Sequence, residues 1–140
     1  TYRNAVRTGV YTVSYPKPSQ VVLASLAASP RDGAADGPRS KPALDQLPLR
    51  AAETVDGAFL DDAYLFLECA LERHVDDLGE NSLLIGTVEA VHVDKRALRV
   101  SDEDDADAIR DAPLLAYLPP DRYATITQTN AFPFPVGFEK

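Results

Sequence analysis

The stretch LFLECALERHVDDLGENSLLIGTVEAVHVD, Leu65 to Asp94, decides the fold. Leu65, Leu67, Cys69 and Leu71 alternate with Phe66, Glu68, Ala70 and Glu72. A period of two is the signature of a strand, so one face is expected to be buried and the face carrying Glu68 half-wet. HVDDLGEN (His74–Asn81) is rich in turn formers and predicts the reversal. SLLIGTVEAVHV (Ser82–Val93) then predicts a second, longer strand, with Gly86 marking a bulge or a close approach. Long antiparallel strands joined by a tight turn point to a barrel or a sandwich.

Two groups within this stretch are candidates for chemistry. Cys69 is the single cysteine of the chain. A nucleophilic thiol needs a base and an electropositive setting, whereas Cys69 sits beside Glu68 and shares its face with leucines. A buried structural role is favoured. His74 falls in the polar turn and is expected to be exposed. His92 shares a strand face with Val88 and Ala90, and a histidine so placed is either a satisfied core or interface residue or a ligand contact.

Outward on the N-terminal side, TYRNAVRTG (Thr1–Gly9) predicts a short helix, with Thr1 as N-cap and Gly9 at the left-handed C-terminal position. VYTVS (Val10–Ser14) predicts a strand. Two prolines in YPKPSQ break it, and Ser19 is expected to cap a helix over Gln20–Ser29 that Pro30 ends. Residues 31–42, RDGAADGPRSKP, read as a mobile loop. Leu44 to Ala63 is mixed, with a turn at VDG.

On the C-terminal side, Ser101 to Ala112 carries six acids, and Ser101 with Asp104 resembles a capping box at a helix start. A calcium loop counted from Asp102 fails, since its sixth and twelfth positions are Asp107 and Pro113 rather than glycine and glutamate. Pro113–Ile126 predicts a strand, a Pro-Pro turn and a further short element, and NAFPFPVGFEK (Asn130–Lys140) an extended tail.

The bulk properties agree with one domain across residues 1–140. The net charge of −8, with scattered basic residues, argues against nucleic acid and against anionic membranes. No apolar run approaches the roughly 20 residues of a membrane helix, and one cysteine fits a reducing, cytoplasmic setting. The chain contains no phosphate-binding loop, nucleophile elbow, dinucleotide fingerprint or zinc motif. The residues therefore describe a β-rich domain with no catalytic side chain and no metal site, whose chemistry would come from a bound cofactor.

Three segments carry a resemblance. TYRNAVRTGVYTVSY resembles the KDTxxNxxxTGxFxVN segment of the flavin reductase-like FMN-binding proteins. Phe59–Asp94 is similar to that family's central hairpin, with its Glu-Cys pair and IGEVxxVHVD strand. APLLAYLPPDRYATI is similar to its xPLxYxGxxxYxxL segment. The resemblance implies a mainly β split barrel of Greek-key type with short helices, working as a homodimer. It implies FMN at the dimer interface, hydride transfer from NADH or NADPH, and Thr1, Arg3, Asn4 and His92 as cofactor-binding residues. The family's first strands, with much of the ring pocket, would precede Thr1, so the chain is expected to be the C-terminal part of such a domain. The rival expectation is a non-catalytic dimerising module of the same fold that has lost its flavin.

Overall fold

The computed structural model describes residues 2–27, 42–79, 81–98, 105–130 and 137. Its centre is a three-stranded antiparallel sheet in the order β1–β4–β5, formed by β1 (Val10–Tyr15), β4 (Leu65–Leu78) and β5 (Asn81–Val93). β4 pairs with β1 from Val10↔Ala70 to Tyr15↔Leu65 and with β5 from Leu65↔Val93 to Leu78↔Asn81. The hairpin is longer than its sequence suggests. β4 runs through His74 to Leu78, and only the immediate reversal, with Gly79 at φ +69°, lies outside the strands. His74 is therefore a strand residue paired with Leu84, exposed as expected, and packed edge-on against Tyr2. Polar side chains predict a turn by composition, but both faces of this outer hairpin are wet, so they cost nothing in a strand.

Irregular pairing re-aims the side chains. The register shifts between Glu68 and Cys69, leaving Glu89 as the extra residue of β5, and again between Leu71 and Arg73, leaving Glu72 as the extra residue of β4. Phe66, Glu68 and Cys69 are all buried as a result, while Leu65 and Leu67 are only half-buried. The expected half-wet face at Glu68 is thus corrected: it is the drier one. Gly86 is a close approach, as expected. A Cβ there would lie 2.3 Å from the Ala70 carbonyl oxygen and 2.7 Å from the Tyr11 hydroxyl.

The segment that reads as mixed forms a 3₁₀ turn (Pro42–Gln46) and a ribbon of β2 (Leu49–Ala51) with β3 (Ala58–Leu60). The ribbon folds over the dry face, where Phe59, Ala63 and Phe66 make the core cluster. Arg50 lies flat on it, its guanidinium 4.3 Å from the Phe66 ring centroid. The 52–57 turn between β2 and β3 closes through the Ala52 amide donating to the Gly57 carbonyl at 2.9 Å.

Short helices fill the margins. α1 (Tyr2–Thr8) runs into Gly9 at φ +74°, where the Gly9 amide caps back to the Ala5 carbonyl, as expected of that glycine. A 3₁₀ turn (Pro18–Gln20) leads into α2 (Val21–Ala27). Its start is fixed by Gln20, not Ser19. The buried Gln20 side chain accepts from the Lys17 amide at 3.0 Å and donates to the Asp61 carbonyl at 2.7 Å. α3 (Asp105–Asp111) precedes the hairpin of β6 (Leu114–Leu118) and β7 (Arg122–Ile126), which turns at Pro119–Pro120 as its sequence predicts. Residues 31–41 of the expected mobile loop, the Ser101–Asp104 capping box, Thr1 and most of the C-terminal tail lie outside the described residues. Among those described, no helix is long and apolar enough to cross a membrane.

Candidate functional site

The corner where α1 meets β1 holds a cavity of about 440 Å³. Asn4, Arg7 and Thr8 of α1, Thr12 of β1, and Asp56 and Gly57 of the β2–β3 turn line it. Helical spacing explains the α1 contribution, since positions three and four apart share a face. The Thr8 hydroxyl donates to the Asn4 carbonyl at 2.9 Å, and the Thr12 hydroxyl to the Ala58 carbonyl at 2.7 Å. Arg7 makes no ion pair with any described residue, so its guanidinium is available to an anion. Asp56 supplies the opposing charge on the far wall. The turn lies flush on β1: a Cβ at Gly57 would sit 2.7 Å from Thr12 Cγ2.

Glu68 holds that turn from behind. The carboxylate is 0% exposed. Oε1 accepts from the Glu53 amide at 3.0 Å and Oε2 from the Thr54 and Val55 amides at 2.6 and 2.9 Å. His92 Nε2 completes the set at 2.7 Å from Oε1. Burial by itself raises the Glu68 carboxyl, but the three backbone amides and His92 outweigh it and bring it down to about 2. Glu68 is thus a carboxylate near neutral pH and only accepts, so His92 Nε2 carries the proton. The His92 ring packs edge-on to Phe59 and places Nδ1 3.9 Å from Glu53 Oε1.

Of the residues singled out in the sequence, Asn4 lines the cavity, while Arg3 is exposed on α1 outside it. His92 is not brought to Asn4. It stands one step back, behind Glu68 and the turn. Cys69 is buried opposite Tyr11 on β1. Burial raises its thiol, the Tyr11 hydroxyl pulling weakly the other way, which is the setting of an inert structural cysteine. Arg7, Thr8, Thr12 and Glu68 were not legible as site residues. An acid inside the apolar run Leu65–Leu71 is the one signal that could have pointed to Glu68.

The polar lining fits the phosphate end of a nucleotide: the Arg7 guanidinium and the Asn4 carboxamide are its donors, while the Thr8 and Thr12 hydroxyl protons go to backbone carbonyls. Comparison with known proteins gives the family and the fold. The family model described as "Flavin reductase like domain" matches residues 1–119. Among solved structures, nitrilotriacetate monooxygenase component B from Bacillus cereus matches at 22% identity and TM-score 0.69, over 93% of this chain and 63% of that one. The 2-nitrobenzoate 2-nitroreductase of Pseudomonas fluorescens matches at 15% identity and TM-score 0.73, over 99% of this chain and 66% of that one. A split-barrel-domain protein from Shewanella frigidimarina matches at 23% identity and TM-score 0.68, over 96% and 65%. The mainly β fold is that of the split barrels. The chain spans just under two thirds of the length of each of these neighbours. Among curated protein sequences none matches significantly.

Proposed function

Since the chain belongs to the flavin reductase-like domain family, we propose that it is the flavin-binding part of an oxidoreductase that passes hydride from NADH or NADPH to FMN. The observation that carries this reading is the cavity at the α1–β1 corner, where Asn4 and Arg7, which has no ion pair among the described residues, suit a phosphate monoester. Arg3, one turn before Arg7 on α1, and Thr1 are proposed as further cofactor-binding residues. The flavin, when bound, supplies the hydride chemistry. The chain's own residues bind and orient it, and none of them needs to be a nucleophile or a metal ligand. We place the protein in the cytoplasm, where its single thiol stays reduced, and read it as a homodimer.

The experiment is an FMN titration of the protein as its gene encodes it, followed by flavin fluorescence and then by NADH and NADPH oxidation. Saturable quenching that weakens about tenfold or more in Arg7→Ala is expected, because a charge-assisted hydrogen bond contributes about 1.5–3 kcal/mol. Asp56 in the lining of the same cavity favours a second reading, a dimerising module that no longer holds flavin. Quenching absent at all concentrations would select it.

A further inference from the structure

We propose that Glu68 and His92 are a positioning pair: they fix the 53–57 turn as a wall of the Asn4–Arg7 cavity without entering it. The proposal rests on the flavin reading above. A strand residue beneath a ribbon needs only to be apolar, and burying a carboxylate is costly unless every lone pair is met. Here each oxygen accepts two hydrogen bonds, Oε1 from Glu53 and His92 and Oε2 from Thr54 and Val55. Three consecutive turn amides therefore converge on one side chain. Asp56 and Gly57 follow immediately and form the wall. Gly57 has no slack, given the 2.7 Å that would separate its Cβ from Thr12 Cγ2.

His92 is the second member because it donates to the Glu68 oxygen that also holds the Glu53 amide. Nε2 meets Glu68 at 2.7 Å and Nδ1 stands 3.9 Å from the Glu53 carboxylate, whose own amide Glu68 holds. The ring is 25% exposed and lies against Phe59, so its orientation is set by packing as well as by charge. Removing the imidazole frees the Glu68 carboxylate to rotate, and the turn amides move with it. A residue argued in this way acts on the ligand through the wall, as outer partners act through the ligands they orient.

The test compares His92→Phe, which keeps a ring against Phe59 and loses the donor, with His92→Gln, which can still present an N–H to Glu68. FMN affinity is measured by fluorescence quenching, and thermal midpoints are measured alongside so that binding is read well below each of them. His92→Phe is expected to raise the Kd for FMN by about fivefold or more, the low end of usual site coupling, and His92→Gln to restore it. If both variants lower the thermal midpoint but bind FMN like the parent, the pair is a stabiliser only and the proposal is overturned. If the parent protein binds no FMN, the flavin reading fails on its own, and amide exchange decides the pair. Faster exchange at Thr54 and Val55 in His92→Phe than in His92→Gln supports turn positioning, and equal rates overturn it.

Discussion

At Glu68 a charge is stabilised where solvent cannot reach it, and this makes the fold sensitive to acid. The carboxyl falls from its ordinary 4.5 to about 2 in the folded chain. Its contribution is therefore fully present above the unfolded value and is lost as pH falls from about 4.5 towards about 2. Thermal midpoints measured across that interval should fall in the parent. In Glu68→Gln, where either orientation of the carboxamide turns an NH₂ towards two amide or imidazole donors, the midpoint should already be lower at neutral pH and should change less over the same interval. Equal pH dependence of parent and variant would deny Glu68 this role. Cys69, one residue on, makes the contrasting case. Cys69→Ser buries a hydroxyl in place of a thiol and should cost about 1–3 kcal/mol in denaturant unfolding. FMN binding should be intact, because Cys69 does not itself line the cavity, although its neighbour Tyr11 does. A stable variant that no longer binds would return Cys69 to the site.

The elements are pinned by close contacts more than by bulk. β4 and β5 approach at Gly86, whose missing side chain admits the Tyr11 hydroxyl from the far strand β1. In Gly86→Ala the obstructing atom at 2.3 Å is a backbone oxygen, so the strands themselves must part. Overpacking of that kind costs about 1–3 kcal/mol, and adding Tyr11→Phe should not recover it because the Ala70 carbonyl remains. Full recovery in the double variant would mean that Tyr11 alone sets the clash. At the other end, Lys17 bridges Asp62 at 2.6 Å and Asp94 at 3.1 Å, tying the segment after β1 to the ends of the ribbon and of β5. The Arg96 side chain and amide, with Lys17, hold the Asp94 carboxyl well below the usual range. These elements were legible to different degrees. The period-two run of β4, the Gly9 cap, the Gly86 contact and the Pro-Pro turn follow from local chemistry, and the sequence carries it. The reach of β4 through His74, the dry side of Glu68 and the ribbon at Leu49–Leu60 do not. Each depends on what covers a face, and a turn of polar residues conceals that it will supply three amides to a buried acid. The site was less legible for the same reason. Of its lining only Asn4 was singled out; Arg7 shares its helix face, but Thr12 and Gly57 join them only through the ribbon's fold.

The molecule as a whole leaves much apolar surface uncovered. Its core cluster among the described residues is Phe59, Ala63 and Phe66, whereas Leu83, Val88, Val91 and Val93 are exposed along β5. β5 is also an edge of its sheet, thirteen residues long, with no strand beyond it among the described residues. A long apolar edge of this kind invites pairing unless it is covered, and the proposed homodimer would cover it with a second copy. The net charge of −8 opposes that association. The two forces separate by salt: repulsion between copies is screened over roughly 10 Å at 0.1 M ionic strength, while apolar burial is not weakened. Self-association should therefore strengthen as salt rises from low to moderate concentration. Val91→Asp, at a position 55% exposed and free of the core cluster, should shift sedimentation towards the monomer without lowering the thermal midpoint of the isolated chain. A parent protein that sediments as a monomer at every salt and protein concentration would remove the dimer and leave β5 to another partner.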